Sequence, residues 1–560
     1  MKVKNKIISI VLLFAIFLIT ASLGIYFYFH NEVMQWGNDL KLAYDLSTND
    51  FFKEKHAEIN VTKYEINIDL FPKEKTIYCK TNIFGNISTD QEKIELDFYD
   101  NYKIHELLIN GKATDYNFND DEIEISRIDT NADSFNVSIV YEGSPQSLGF
   151  GSFEFGKEGK HKVIYTLNEP TFASTWFPCN DTPADKAEFK ISITNDSNMV
   201  SVSNGILESV EKQQDRKTYT WISKNPISTY LIAIYSAPYQ SFSQEYVNSK
   251  NDTMNIQYYI LPEKIDEAKK AFSNHPEYLE VLSNLFGKYP FIDEKYGVAQ
   301  IPWNYGAMES QTITGIGSRF ISEAGFFSDV LIHEVAHHWW GNSVTPKSWR
   351  DIWLNEGFAT YSEALYWEKT KGKSSLISTM ESFKVSKNSE TLYAPKTNLF
   401  SKQIYNKGAW VLHMLRREMG DSTFFSTLKQ YHQKYKFSNA DTYDFKNICE
   451  ENSGLSLDQF FNQWVFEGEG IIDIEYDWEA DNSESDAEGI LIHIKQIQNN
   501  YESYQFPVDI LIKENSGESF ISSHFISSID TILAIATYNE VLSIEFDPES
   551  WLLASFTQSE

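Results

Sequence analysis

Cysteine is close to absent. Cys79, Cys179 and Cys449 are the three in the 560-residue chain, and no two of them form a CxxC pair, so neither a disulfide framework nor a thiolate zinc site can be built from them. Positive charge is scarce as well. With 48 Lys and Arg against 79 Asp and Glu the formal charge is -31, which repels nucleic acid and anionic membrane surfaces; most of these acids read as solvated faces that keep the chain soluble. Internal repeats and long low-complexity tracts are also missing, which excludes a solenoid and a largely disordered chain. What is present is globular material, 42% hydrophobic and 15% aromatic, in a length that suits about three domains.

The first 29 residues read as a targeting element. Ile7 to Phe29 carry no charge and would make about 34 Å of helix, enough for a ~30 Å hydrocarbon core. Lys2, Lys4 and Lys6 precede this run and Glu32 follows it, so the positive-inside rule leaves residues 1–6 in the cytoplasm and the bulk of the chain outside, held by a single-pass anchor over residues 7–29. A cleaved signal peptide is the alternative, because Ser22-Leu23-Gly24 offers small residues at usable spacing. Residues 30–55 read as a polar, partly helical stalk.

Period-two patterns then begin. Tyr64, Ile66, Ile68 and Leu70 alternate with Glu65, Asn67 and Asp69, and similar runs recur at Ile94-Leu96-Phe98, Ile123-Ile125 and Phe189-Ile191-Ile193, so residues 56–241 read as an all-β domain. Helical patterns dominate residues 242–470, at 328–342, 355–370, 405–419 and 442–466, with a stop at Gly420. Residues 471–560 return to strands, separated by the acidic turn EADNSESDAEG, and suit a small β-sandwich.

The stretch HEVAHHWWGNSVTPKSWRDIWLNEGFATYSE, residues 333–363, carries the chemistry. On a helix His333 and His337, four apart, share a face with Glu334 close by, and a chance HExxH in a chain of this length has an expectation of about 0.02. A hydrolytic zinc site takes three N or O donors and keeps one position open. Glu356, near the start of the next helical pattern, is the candidate third donor, and Glu363, at i+7 on the same face, either orients a ligand histidine from behind or is a solvated carboxylate of the helix surface. His338 is assigned to the core.

This stretch resembles the gluzincin zinc aminopeptidases, the group that includes aminopeptidase N and the leukotriene hydrolase. Three further stretches match in the family's order: LNEPTFASTWFPCNDTP (167–183), GAMES (306–310) and YNKGAWVLHMLRREMG (405–420). The resemblance implies an α+β multidomain fold with an N-terminal β-saddle, a thermolysin-like, mostly helical catalytic domain and a C-terminal β-sandwich. The large helical C-terminal domain of many relatives is expected to be missing. One zinc per chain would be held by His333, His337 and Glu356, with Glu334 as general base and Tyr405 as donor to the oxyanion. Glu309 and Glu169 would bind the free α-ammonium of a peptide, while Gly306, Ala307 and Met308 would let its backbone approach an extended strand.

Two positions depart from the family pattern. Ser310 stands where relatives carry Asn, and Leu167 where they often carry Gln; both are expected at the amine and first-side-chain end, Leu167 making it more apolar. The expected function is a zinc-dependent aminopeptidase acting outside the cytoplasm on peptides with free N-termini. An epoxide hydrolase of the same clan and a catalytically inactive peptide-binding ectodomain are the alternatives.

Overall fold

The computed structural model describes residues 49–52, 56, 58–127, 132–322, 325–387, 389–396, 398–480, 489–499 and 501–559. The expected tail, anchor and most of the stalk lie outside the described residues, as does most of the acidic turn at 479–489. Among the described residues no helix is long and apolar enough to cross a membrane.

The alternating pattern of the N-terminal part becomes an eight-stranded sheet. Its centre pairs Ile59–Phe71 in parallel with Lys186–Asp196 and antiparallel with Thr76–Ile87. Register sets Tyr64 opposite Phe189, Ile66 opposite Ile191 and Ile68 opposite Ile193, all buried, so the apolar face of one strand continues into the next. A four-stranded sheet containing His161–Leu167 and a three-stranded sheet containing Lys93–Asp97 complete this β-rich part.

A five-stranded sheet comes next, which the helical patterning concealed. It runs Gln240–Val247, Thr253–Ile260, Tyr296–Ile301, Thr314–Gly317 and Ala307–Met308. Two of these strands are four to six residues long and buried at every position, so they show no alternation to read. Ala307–Met308 forms the edge, antiparallel to Gly315 and Ile316.

Three helices build the centre. The first, Ser328–Ala336, is shorter than the expected 328–342: after it, His338 and Trp339 close i-3 bonds, and Asn342, Ser343 and Val344 donate to the carbonyls of His337, His338 and Trp339, turning the chain back. His337 sits at the helix end with helical backbone and its amide still bonds to His333, so the i, i+4 relation survives. Trp353–Lys371 and Lys402–Met419 pack against each other where Gly357 meets Gly408. The expected helix at 442–466 is broken, because Gly454 takes a left-handed conformation and ends the helix Thr442–Ser453.

Four-stranded and three-stranded sheets close the chain, touching through Tyr476, Phe546 and Phe556, whose rings lie 4.6 to 5.0 Å apart. They are tied to the helix Lys402–Met419 by charge. Arg417 donates to Asp509 at 2.7 Å and to the Pro507 carbonyl. Lys407, fully buried, donates to the carbonyls of Glu390 and Gly468, and burial pushes its ammonium down to about 7.

A methyl group placed on Gly357 or Gly408 would stand 2.8 or 2.7 Å from the backbone of the other helix. Gly408→Ala should therefore cost about 1–3 kcal/mol through forced separation of the helices. Calorimetry should show a lower thermal midpoint; an unchanged midpoint would mean that the two helices part freely.

Candidate metal and peptide-binding site

His333 and His337 leave the first helix toward Glu356, which lies in the first turn of Trp353–Lys371. Their outer nitrogens are already committed. His333 Nδ1 donates to Glu363 Oε1 at 2.9 Å and His337 Nδ1 to the Trp340 carbonyl at 3.0 Å. Both partners accept, so each Nδ1 carries its proton and Nε2 is the nitrogen left to face Glu356. The two Nε2 atoms lie 3.3 and 3.4 Å from Glu356 Oε2. A tetrahedral ion with ~2.0–2.1 Å bonds separates neighbouring donors by roughly 3.3–3.4 Å, so Glu356 Oε2 stands at the required separation from each imidazole nitrogen, and all three atoms lie within 4.8 Å of one another. Donor type and spacing fit zinc.

Glu334 is buried beside this triangle and its Oε2 has no hydrogen-bond partner; burial pushes it up to about 8, against the pull of His333 and His337. Tyr405 stacks its ring near-parallel to His333 with centroids 5.8 Å apart. Burial and then the charge of Glu356 raise its phenol well above the ordinary value, which keeps it a donor. Neighbouring His338 is fully buried, accepts from the Thr312 amide and donates to the Glu334 carbonyl. Burial drives it down to about 3, and it belongs to the core.

A cavity of about 460 Å³ joins all of these except His338 to Glu169, Gly306, Ala307, Met308, Glu309 and Glu363. Glu169 and Glu309 are each 4% exposed, and one oxygen of each is without a partner. Burial raises both carboxyls; Glu309 and then Glu356 raise Glu169 further, while His337 pulls Glu309 the other way. Two buried acids facing one space are a receptor for a cation. Asn342 fixes the turn beneath by donating to the Glu309 carbonyl. A larger depression of about 880 Å³, between Phe286, Glu294, His432 and Phe437, contains none of these residues.

The two departures are placed differently from expectation. Leu167 is 1% exposed at the last position of its strand and does not line the cavity; the chain turns at Asn168, so period two does not carry from Glu169 back to it. Ser310 is buried with its hydroxyl 3.1 Å from the Tyr235 hydroxyl, also off the cavity. Neither lines the cavity, so Leu167 adds no apolar surface to it. The apolar wall there comes from residues with no motif to mark them: Phe150 packs on Phe400 and Trp303 at 5.1 and 5.6 Å between centroids.

Comparison with known families agrees with this geometry. Residues 60–231 match the peptidase M1 N-terminal domain and residues 270–464 the peptidase family M1 domain. The chain belongs to peptidase family M1. Among curated members, a probable aminopeptidase 2 of Sulfurisphaera tokodaii is 27% identical over 73% of this chain and 53% of its own length. Endoplasmic reticulum aminopeptidase 1 of Rattus norvegicus is 30% identical over 54% of this chain and 35% of its own. The chain thus spans about half the length, or less, of these relatives. In fold it is similar to aminopeptidase A of Legionella pneumophila, solved with aspartic acid, at a TM-score of 0.78 with 17% identity, covering 91% of this chain and 60% of that one. An M1 zinc metallopeptidase of Deinococcus radiodurans with a Tyr-Ser-Ala substrate gives 0.65 and 24%, covering 74% of this chain and 95% of that one.

The hydrogen bond from His333 to Glu363 should show in metal affinity. Glu363→Ala is expected to weaken zinc about 10–100-fold, and Glu356→Ala to weaken it further, in a competition titration against a coloured chelator. Equal affinity in Glu363→Ala and the parent would deny Glu363 that role.

Proposed function

We propose that the protein is a zinc-dependent aminopeptidase that removes N-terminal residues from peptides outside the cytoplasm. The observation that carries the reading is the pair of unpartnered oxygens on Glu169 and Glu309, buried in the same cavity as the three convergent donors. A peptide's α-ammonium satisfies both carboxylates at once, whereas an internal amide leaves two buried charges unpaired. The aminopeptidase names of the curated relatives agree with this reading.

Zinc held by His333, His337 and Glu356 would supply Lewis acidity, lowering the pKa of water toward ~7 and polarising the scissile carbonyl. Glu334 accepts the proton of the attacking water and delivers it to the leaving amine. The Tyr405 phenol donates to the oxygen on which charge develops, and the edge strand Ala307–Met308 offers backbone groups to an extended substrate.

Chelation should abolish hydrolysis of aminoacyl fluorogenic amides and zinc should restore it. N-acetylation of a good peptide should abolish cleavage; internal cleavage of the acetylated peptide at a comparable rate would make this an endopeptidase. Glu334→Gln should keep about one zinc per chain with nearly no turnover. For Tyr405→Phe, kcat should fall about 10²–10³-fold at nearly constant KM, and an effect confined to KM would remove the phenol from its role.

The placement outside the cytoplasm rests on Lys2, Lys4 and Lys6 ahead of the apolar run Ile7 to Phe29. Protease added to intact cells should release active protein cut near residues 30–55. Activity confined to the cytosol would remove this part.

A further inference from the structure

The cavity holds more polar atoms than hydrolysis of a free-amine peptide uses. Oxygens of Glu334, Glu309 and Glu169 are matched by the attacking water and the ammonium. Thr360 Oγ1 and Asn406 Nδ2 are not. Both residues line the cavity, they are 2% and 6% exposed, and neither atom has a hydrogen-bond partner. A buried polar group left in that state is costly, and it persists where a ligand completes it. Thr360 lies one turn beyond Glu356 on its helix and Asn406 follows Tyr405, and both line the cavity that holds the three donors.

Lys402 gives this extra polarity a sign. It is the first residue of the helix Lys402–Met419, one turn before Asn406 on the same face, and it lines the cavity with an exposed side chain. Among the described residues no carboxylate forms an ion pair with it. A cation in a first turn opposes the helix dipole, so helix stability does not explain it. Apart from the two histidines, the other ionisable side chains of the wall are acids and Tyr305 and Tyr405. An ammonium and an amide N–H with a hydroxyl together favour an oxygen acceptor that carries negative charge.

We propose that Lys402, Asn406 and Thr360 form a subsite for a carboxylate of the peptide, so that an acid in addition to the terminal amine strengthens binding. This rests on the aminopeptidase reading. The carboxylate has three sources: the side chain of the first residue, that of the second, or the C-terminus of a dipeptide. Lys402 is the specificity-determining member, since it alone tells a carboxylate from an amide of the same shape; Asn406 and Thr360 orient the group.

Calorimetric binding to the zinc-loaded Glu334→Gln protein tests this with three matched pairs. Glu-Leu-amide is set against Gln-Leu-amide, Leu-Glu-amide against Leu-Gln-amide, and Leu-Leu against Leu-Leu-amide. One acid should bind about tenfold more tightly than its neutral partner, and which pair shows the gain names the source. The gain should vanish in Lys402→Met and reverse in Lys402→Glu, each checked for the parent's zinc content and thermal midpoint. Thr360→Val, which keeps the shape, should reduce it about threefold. No gain in any pair, or an undiminished gain in Lys402→Met, overturns the proposal. Because binding is read without turnover, this result is independent of whether acetylated peptides are cleaved, which decides the aminopeptidase reading.

Discussion

The approach of Gly357 to Gly408 fixes the distance between the helix that carries Glu356, Thr360 and Glu363 and the helix that carries Lys402, Tyr405 and Asn406. With side chains at the crossing the helices would stand further apart, and the phenol of Tyr405 would no longer face the ring of His333. The contact is made of backbone alone. It leaves little freedom for the six side chains to drift relative to each other, which is what a site with narrow geometric tolerance needs. Lys407, one residue before Gly408, adds a second fix by holding the carbonyls of Glu390 and Gly468.

Within that frame the metal donors are set by hydrogen bonds that point away from the metal. Glu363 and the Trp340 carbonyl each occupy one imidazole nitrogen, so the remaining nitrogens have one direction. The same tight turn that ends the first helix at Ala336 presents the Trp340 carbonyl to His337. The truncation of the expected helix is therefore part of how the second histidine is oriented.

The chemistry was legible in the sequence where it is local. His333, His337, Glu356 and Glu363 fall within one helix-turn-helix stretch, and helical periodicity brings them together on paper as it does in space. Period two likewise found the strands of the large sheet, because one face of each is wet. The five-stranded sheet was hidden since its short inner strands are buried on both faces. Leu167 and Ser310 were misplaced for a related reason: adjacency to a cavity residue in sequence says little once a strand ends and the chain turns. Thr360, Asn406 and Lys402 carried a signal in their spacing from Glu356 and Tyr405, but only burial and missing partners distinguish them from ordinary helix residues. Phe150 carried none.

The two buried carboxylates that line the cavity beside the donors come from different parts of the molecule, Glu309 from the turn after the edge strand and Glu169 from the β-rich part, while the three candidate metal donors come from a single short stretch. On the proposed reading, cutting bonds and recognising where a peptide begins fall to separate pieces of chain. On that reading, a change that loosened the β-rich part from the helices would leave the three metal donors together and blunt the sense of position, turning a trimmer of ends toward a less discriminating hydrolase.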